Sequence, residues 1–121
     1  MLEAITAMAS VIGDPYLLML IAVTTVLGIV IGVLPGLGAT TGAALLLPFT
    51  LTMSPVNAIA VLATLYVSAT FAGSITAILI NTPGTSAAAA TTFDGFPLAQ
   101  RGEAGRALGV AVVSSTIGGI F

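Results

Sequence analysis

Two short stretches gather the residue types that lay bare main-chain dipoles and offer oxygen ligands. The first is Leu34-Pro35-Gly36-Leu37-Gly38-Ala39-Thr40-Thr41-Gly42; the second runs from Asn81-Thr82-Pro83-Gly84-Thr85-Ser86 to Gly95. Proline removes a backbone donor and glycine favours irregular dihedrals, so neither stretch is expected to be regular helix. A helix broken there presents free N–H groups of partial positive charge and free carbonyls of partial negative charge. The N–H groups suit a carboxylate. The carbonyls, with Asn, Thr and Ser oxygens, suit a hard cation such as Na⁺. The expected anion contacts are therefore Pro35, Gly36, Gly38, Thr40, Thr41, Pro83, Gly84, Thr85 and Ser86. The expected cation ligands are Asn81, Thr82 and Thr85, with Asp94 as a further candidate because it is the only carboxylate beside the second break. Asp94 also fits a helix cap or the membrane surface. The competing view is a structural kink whose hydroxyls bond local carbonyls. Two breaks of similar build (Pro-Gly, hydroxyls, then an Ala-rich run) weigh towards binding, and paired Gly/Pro interruptions are a sequence pointer to a transporter site.

Other chemistries find few candidates. Gly36-x-Gly38-x-x-x-Gly42 has the wrong spacing for a dinucleotide fingerprint, and a P-loop needs lysine, which is absent. Cysteine and histidine are absent too, which removes thiolate metal sites, disulfides and the commonest general base. An enzyme is therefore not expected. The only basic residues are Arg101 and Arg106, too few for a nucleic-acid surface.

The elements that must position these breaks are membrane helices. Between Asp14 and Asp94 the only ionisable side chains are Tyr16 and Tyr66. Hydrophobic residues make up 58 % of the chain and charged residues 5 %, against roughly 25 % charged in soluble domains. Mean hydropathy is +1.23. A charge at the bilayer centre costs a few kcal/mol or more, which selects such a composition. The expected fold is an all-α polytopic membrane protein forming one membrane domain. Spans are expected near residues 16–34, 56–80 and 103–121, with broken or re-entrant segments near 35–53 and 81–95. No basic n-region marks a signal peptide.

Within this frame, residues 1–14 read as an amphipathic interfacial helix, with Leu2, Ile5, Met8 and Ile12 on one face. Pro15 and Ser54-Pro55 mark helix starts. Gly28 and Gly32 form G-x-x-x-G, and Ala60, Thr64, Ser68, Ala72 and Thr76 recur every fourth residue; both patterns predict close helix packing. Ala87–Thr92 is expected as a short half-helix ended by Phe93-Asp94-Gly95-Phe96-Pro97. The polar stretch from Gln100 to Arg106 reads as a cytoplasmic loop anchored by its arginines. The chain ends inside an apolar stretch, which leads us to expect a fragment of a longer protein.

Read in order, Leu34-Pro-Gly-Leu-Gly-Ala-Thr-Thr-Gly42, Leu45-Leu-Leu-Pro-Phe49, Gly73-Ser-Ile-Thr-Ala77, Ile80-Asn-Thr-Pro-Gly-Thr85, Asp94-Gly-Phe-Pro-Leu-Ala99 and Gly102-Glu-Ala-Gly-Arg-Ala-Leu-Gly109 form a specific set. The set resembles the N-terminal region of the TctA family, the large membrane subunit of tripartite tricarboxylate transporters, over about residues 15–121. The resemblance implies a multi-pass permease of the bacterial inner membrane. Such systems take up citrate or related carboxylates with a coupling ion, Na⁺ or H⁺, and use no other cofactor. It also implies a periplasmic solute-binding protein and a small membrane subunit as partners, besides lipid. The resemblance further implies family members of roughly four times this length with about a dozen helices, beside which a chain of this length is expected to lack part of any midplane site. Two rival readings are a passive channel and a non-transporting membrane assembly subunit.

Overall fold

The computed structural model describes residues 1–121, and its regular structure is entirely helical. The order is α1 (Leu2–Gly13), α2 (Pro15–Val33), α3 (Gly38–Thr50), α4 (Pro55–Ile80), a 3₁₀ turn (Ser86–Ala88), α5 (Thr91–Gln100) and α6 (Ala104–Ile120). The helix starts follow local chemistry. The Asp14 carboxylate accepts from the Tyr16 N–H at 3.0 Å, with Pro15 in the first helical position. Ser54 accepts from the Asn57 N–H at 3.5 Å, ahead of Pro55. Both positions leave a proline where its missing N–H costs nothing.

Helix α4 is the axis of the assembly, and α2, α3, α5, α6 and the 3₁₀ turn all pack on it. Its most extensive contact is with α2, through glycine. A Cβ at Gly28 would collide with the Ser68 hydroxyl, and one at Gly32 would collide with the main chain of Ala69. The expected G-x-x-x-G contact is therefore present, and it brings two backbones together as small-residue interfaces do. The small-residue stripe of α4 lies differently from its expected register. Val61, Leu65, Ala69, Ala72, Gly73, Thr76 and Ala77 are buried, whereas Ala60, Thr64 and Ser68 are half-buried. A strict four-residue repeat drifts around a helix of 3.6 residues per turn. The buried set corrects the drift by stepping three between Ala69 and Ala72.

Both breaks are shorter than expected. Irregular chain covers only Leu34–Leu37 at the first, because α3 starts at Gly38 and contains Thr40, Thr41 and Gly42. Gly36 (φ +92°) and Gly38 (φ +62°) do require glycine dihedrals. Gly42 serves packing instead: a Cβ there would lie 3.1 Å from Ile31 and 3.3 Å from Leu65. At the second break Asn81–Thr85 is irregular, and the expected half-helix over Ala87–Thr92 is replaced by the 3₁₀ turn and α5. Phe93-Asp94-Gly95-Phe96-Pro97 does not end a helix but lies inside α5. Gly95 is there for contact, since a Cβ would come within 2.6 Å of Ile78. Residues Gly38–Thr50 of the segment expected as broken are thus helix, Pro48 included.

Only 19 of the 121 residues are buried, and large apolar side chains cover the outer faces of the helices, among them Met19, Val23, Val26 and Val30 of α2 and Ile59 of α4. Helices apolar all round are made for burial in a larger protein or a membrane. Pro15–Val33 and Pro55–Ile80 are long and apolar enough to cross one. Helix α1 buries none of its residues, and Leu2, Ile5, Met8 and Ile12 stay uncovered. Glu103 precedes α6 and pairs with Arg106 at 3.6 Å on the surface.

Candidate functional site

The second break is held against the first by three glycines from three parts of the chain. Asn81, in the left-handed region (φ 56°), turns the chain at the end of α4, and both its N–H and that of Thr82 point back to the Thr76 carbonyl. The returning segment then passes between α2 and α4. The Gly84 N–H donates to the Gly73 carbonyl at 3.3 Å. A Cβ on Gly84 would collide with the Gly32 carbonyl and lie 2.9 Å from the Gly73 Cα. Gly32 is only four residues before Gly36, so this contact fixes the two Pro-Gly sequences side by side.

Between them lies a cleft of about 430 Å³ lined by eleven residues. Gly36, Gly38, Ala39 and Thr40 form one wall; Pro83, Gly84, Thr85, Ser86 and Ala87 form the other. Tyr66 and Thr70 of α4 complete it. Neither of those two was expected from sequence. The available signal was a pair of hydroxyl-bearing side chains four residues apart, hence on one face of an otherwise apolar helix.

No charged side chain lines the cleft. Its polarity comes from the main chain and from hydroxyls. Helix α3 begins without a side-chain cap, because Leu37 stands at the capping position. Its first N–H groups therefore have no partner in the helix and carry the positive end of its dipole. Thr25, Thr50, Ser68 and Thr76 turn their hydroxyls onto carbonyls of their own helices, as does Thr70 onto the Tyr66 carbonyl at 2.7 Å. Thr40, Thr85 and Ser86 do not. The Thr85 Oγ1 is buried with no partner at all, a group that normally demands one. The arrangement offers donors to an anion or acceptors to a cation, without a fixed charge of either sign.

The remaining expected site residues lie elsewhere. Pro35 is exposed in the linker, and Thr41 is exposed in the first turn of α3, off the cleft. Among the expected cation ligands only Thr85 reaches the cleft. Asn81 caps α4, the Thr82 hydroxyl donates to the Ile80 carbonyl at 3.3 Å, and Asp94 sits exposed in the first turn of α5. Nowhere do three or more acidic side chains gather as a metal site would require.

Known proteins place this arrangement in a lineage. The sequence model of the tripartite tricarboxylate transporter TctA family matches residues 18–121. A protein of Agrobacterium vitis, described as an uncharacterised 52.8 kDa protein in the TAR-I ttuC′ 3′ region, is 47 % identical over 97 residues, which cover 80 % of this chain and 19 % of that protein. The chain thus spans about a fifth of that relative's length. No solved structure matches. The ordered Pro-Gly breaks and the family match agree, and the chain belongs to the tripartite tricarboxylate transporter TctA family.

Proposed function

We propose that this chain forms part of the permease subunit of a cation-coupled secondary transporter, multi-pass in the bacterial inner membrane. It takes up tricarboxylates or related carboxylates handed over by a periplasmic solute-binding protein, with a small membrane subunit alongside. The observation that carries this reading is the convergence of both Pro-Gly breaks on one uncharged cleft. A carboxylate there is held by the open N–H groups at the start of α3 and by the hydroxyls of Thr40, Thr85 and Ser86. Both breaks line one cavity, the setting in which irregular main chain is tolerated inside a membrane. The coupling ion, Na⁺ or H⁺, completes the proposal; of the residues considered for it, Thr85 alone shares the cleft with the solute.

The test is uptake of labelled citrate by the full-length protein with its partner subunits. Thr40→Val and Thr85→Val are each expected to lower uptake about tenfold, the worth of one good hydrogen bond. Wild-type rates in both variants sink the site assignment. Uptake that persists after the ion gradients are collapsed replaces the coupled transporter by a passive channel.

A further inference from the structure

A second cleft lies directly beside the first, across a shared wall. Tyr66, Thr70 and Ala87 line both. Beyond them about 410 Å³ opens between α4, α5 and α6, and Ser74, Thr91 and Ser115 bring one hydroxyl to it from each of these helices. The volume falls within the range of small-molecule sites. As in the first cleft, no charged side chain takes part.

Three of the hydroxyls around this space are free of the main chain, whereas many others in the molecule are not. Thr25, Ser68, Thr70 and Thr116 each donate to a carbonyl four residues back, the usual way a hydroxyl is satisfied inside an apolar helix. Ser74, Thr91 and Ser115 leave both donor and acceptor capacity unused. Ser74 and Thr91 are half-buried and Ser115 is exposed, so all three hydroxyls are open to a water or solute that enters the space. The divide between the clefts is of two kinds. The Thr70 hydroxyl is tied to the main chain, whereas the Tyr66 side chain, 55 % exposed, has room to change rotamer.

We propose that the second cleft is a further station for the same carboxylate solute, reached from the first past Tyr66 and Thr70. The proposal rests on the reading of the first cleft as the solute site. It assigns Ser74, Thr91 and Ser115 as hydrogen-bonding contacts of the second station and Tyr66 as the element that separates the two.

The experiment uses the full-length protein with its partners in vesicles, any cysteines of its own replaced. Cysteine is placed at Ser115 and, as a control, at the exposed Val113 of the same helix. A charged, water-soluble methanethiosulfonate is expected to modify Ser115→Cys at least about tenfold faster than Val113→Cys, because Ser115 lines the cleft and Val113 lies on an apolar face outside it. Equal or slower modification of Ser115→Cys overturns the proposal. The double variant Thr91→Val, Ser115→Ala is expected to bind citrate within about twofold of wild type while its uptake falls about tenfold. Wild-type uptake, or loss of citrate binding, also overturns a separate second station. Thr40→Val keeps the two readings apart. If it leaves citrate binding unchanged, the first-cleft assignment fails, whereas the labelling contrast answers for the second cleft by itself.

Discussion

Replacing Thr85 by valine removes a hydroxyl that has no partner in the chain and keeps the branched shape of the side chain. Stability measured by thermal unfolding in detergent should therefore change by less than about 1 kcal/mol, since no hydrogen bond is broken. Uptake should fall, and that split separates a binding role from a structural one. The glycines divide in the opposite sense. Gly84→Ala drives a methyl into the Gly32 carbonyl, main chain that has no rotamer to yield, and should cost about 1–3 kcal/mol or prevent folding. Gly36→Ala meets open space but inherits φ +92°, so its penalty of about 1–2 kcal/mol is purely conformational. Unfolding temperatures that fall equally for Gly84→Ala and for an alanine at an open helical glycine would disprove the three-glycine contact.

At the scale of helices, much was legible because it is local. Asp14-Pro15 and Ser54-Pro55 announce the starts of α2 and α4, and side-chain caps stand at both. Asp14→Ala should destabilise by about 1 kcal/mol and Ser54→Ala by less, in keeping with capping bonds of 3.0 and 3.5 Å, as chemical denaturation of the purified protein would show. Gly28 and Gly32 could be read as a contact face for the same reason. Misreadings arose where a residue answers to a distant partner. Gly95 with Pro97 looks like a terminator, but Gly95 is small because Ile78 of α4 presses on it, and α5 runs on to Gln100. Gly42 looks like part of a turn, but Ile31 and Leu65 fill its space. Tyr66 and Thr70 escaped notice as site residues because nothing in an apolar helix says which face will meet a cleft. That is decided by how α3 and the Pro83–Ser86 segment settle on α4. Asp94 was drawn towards the break by proximity in sequence, while the helix carrying it leads it away.

For the molecule as a whole, the outward apolar faces and the two long helices set the terms. Val26 lies 61 % exposed in the middle of α2. Val26→Lys should disfavour membrane insertion by about 2.5–3.5 kcal/mol, visible as a fall in the membrane-bound fraction against soluble aggregate. The polar loop expected over Gln100–Arg106 is only the turn Arg101–Glu103, since Gln100 ends α5 and Arg106 lies in α6. By the positive-inside rule a cysteine at Gly102, where the chain turns with φ +79°, should label from the cytoplasmic side only, and labelling from the periplasm would invert the topology. A last consequence follows from the cleft between the Pro-Gly breaks having no carboxylate, amine, imidazole or guanidinium on its walls. As the medium moves from about pH 8 to about pH 5, the solute's own carboxyls change charge. Affinity expressed for a single ionic form of the solute should stay flat across that interval in calorimetric titrations. A cycle driven by protons would have to load them on some other part of the transporter.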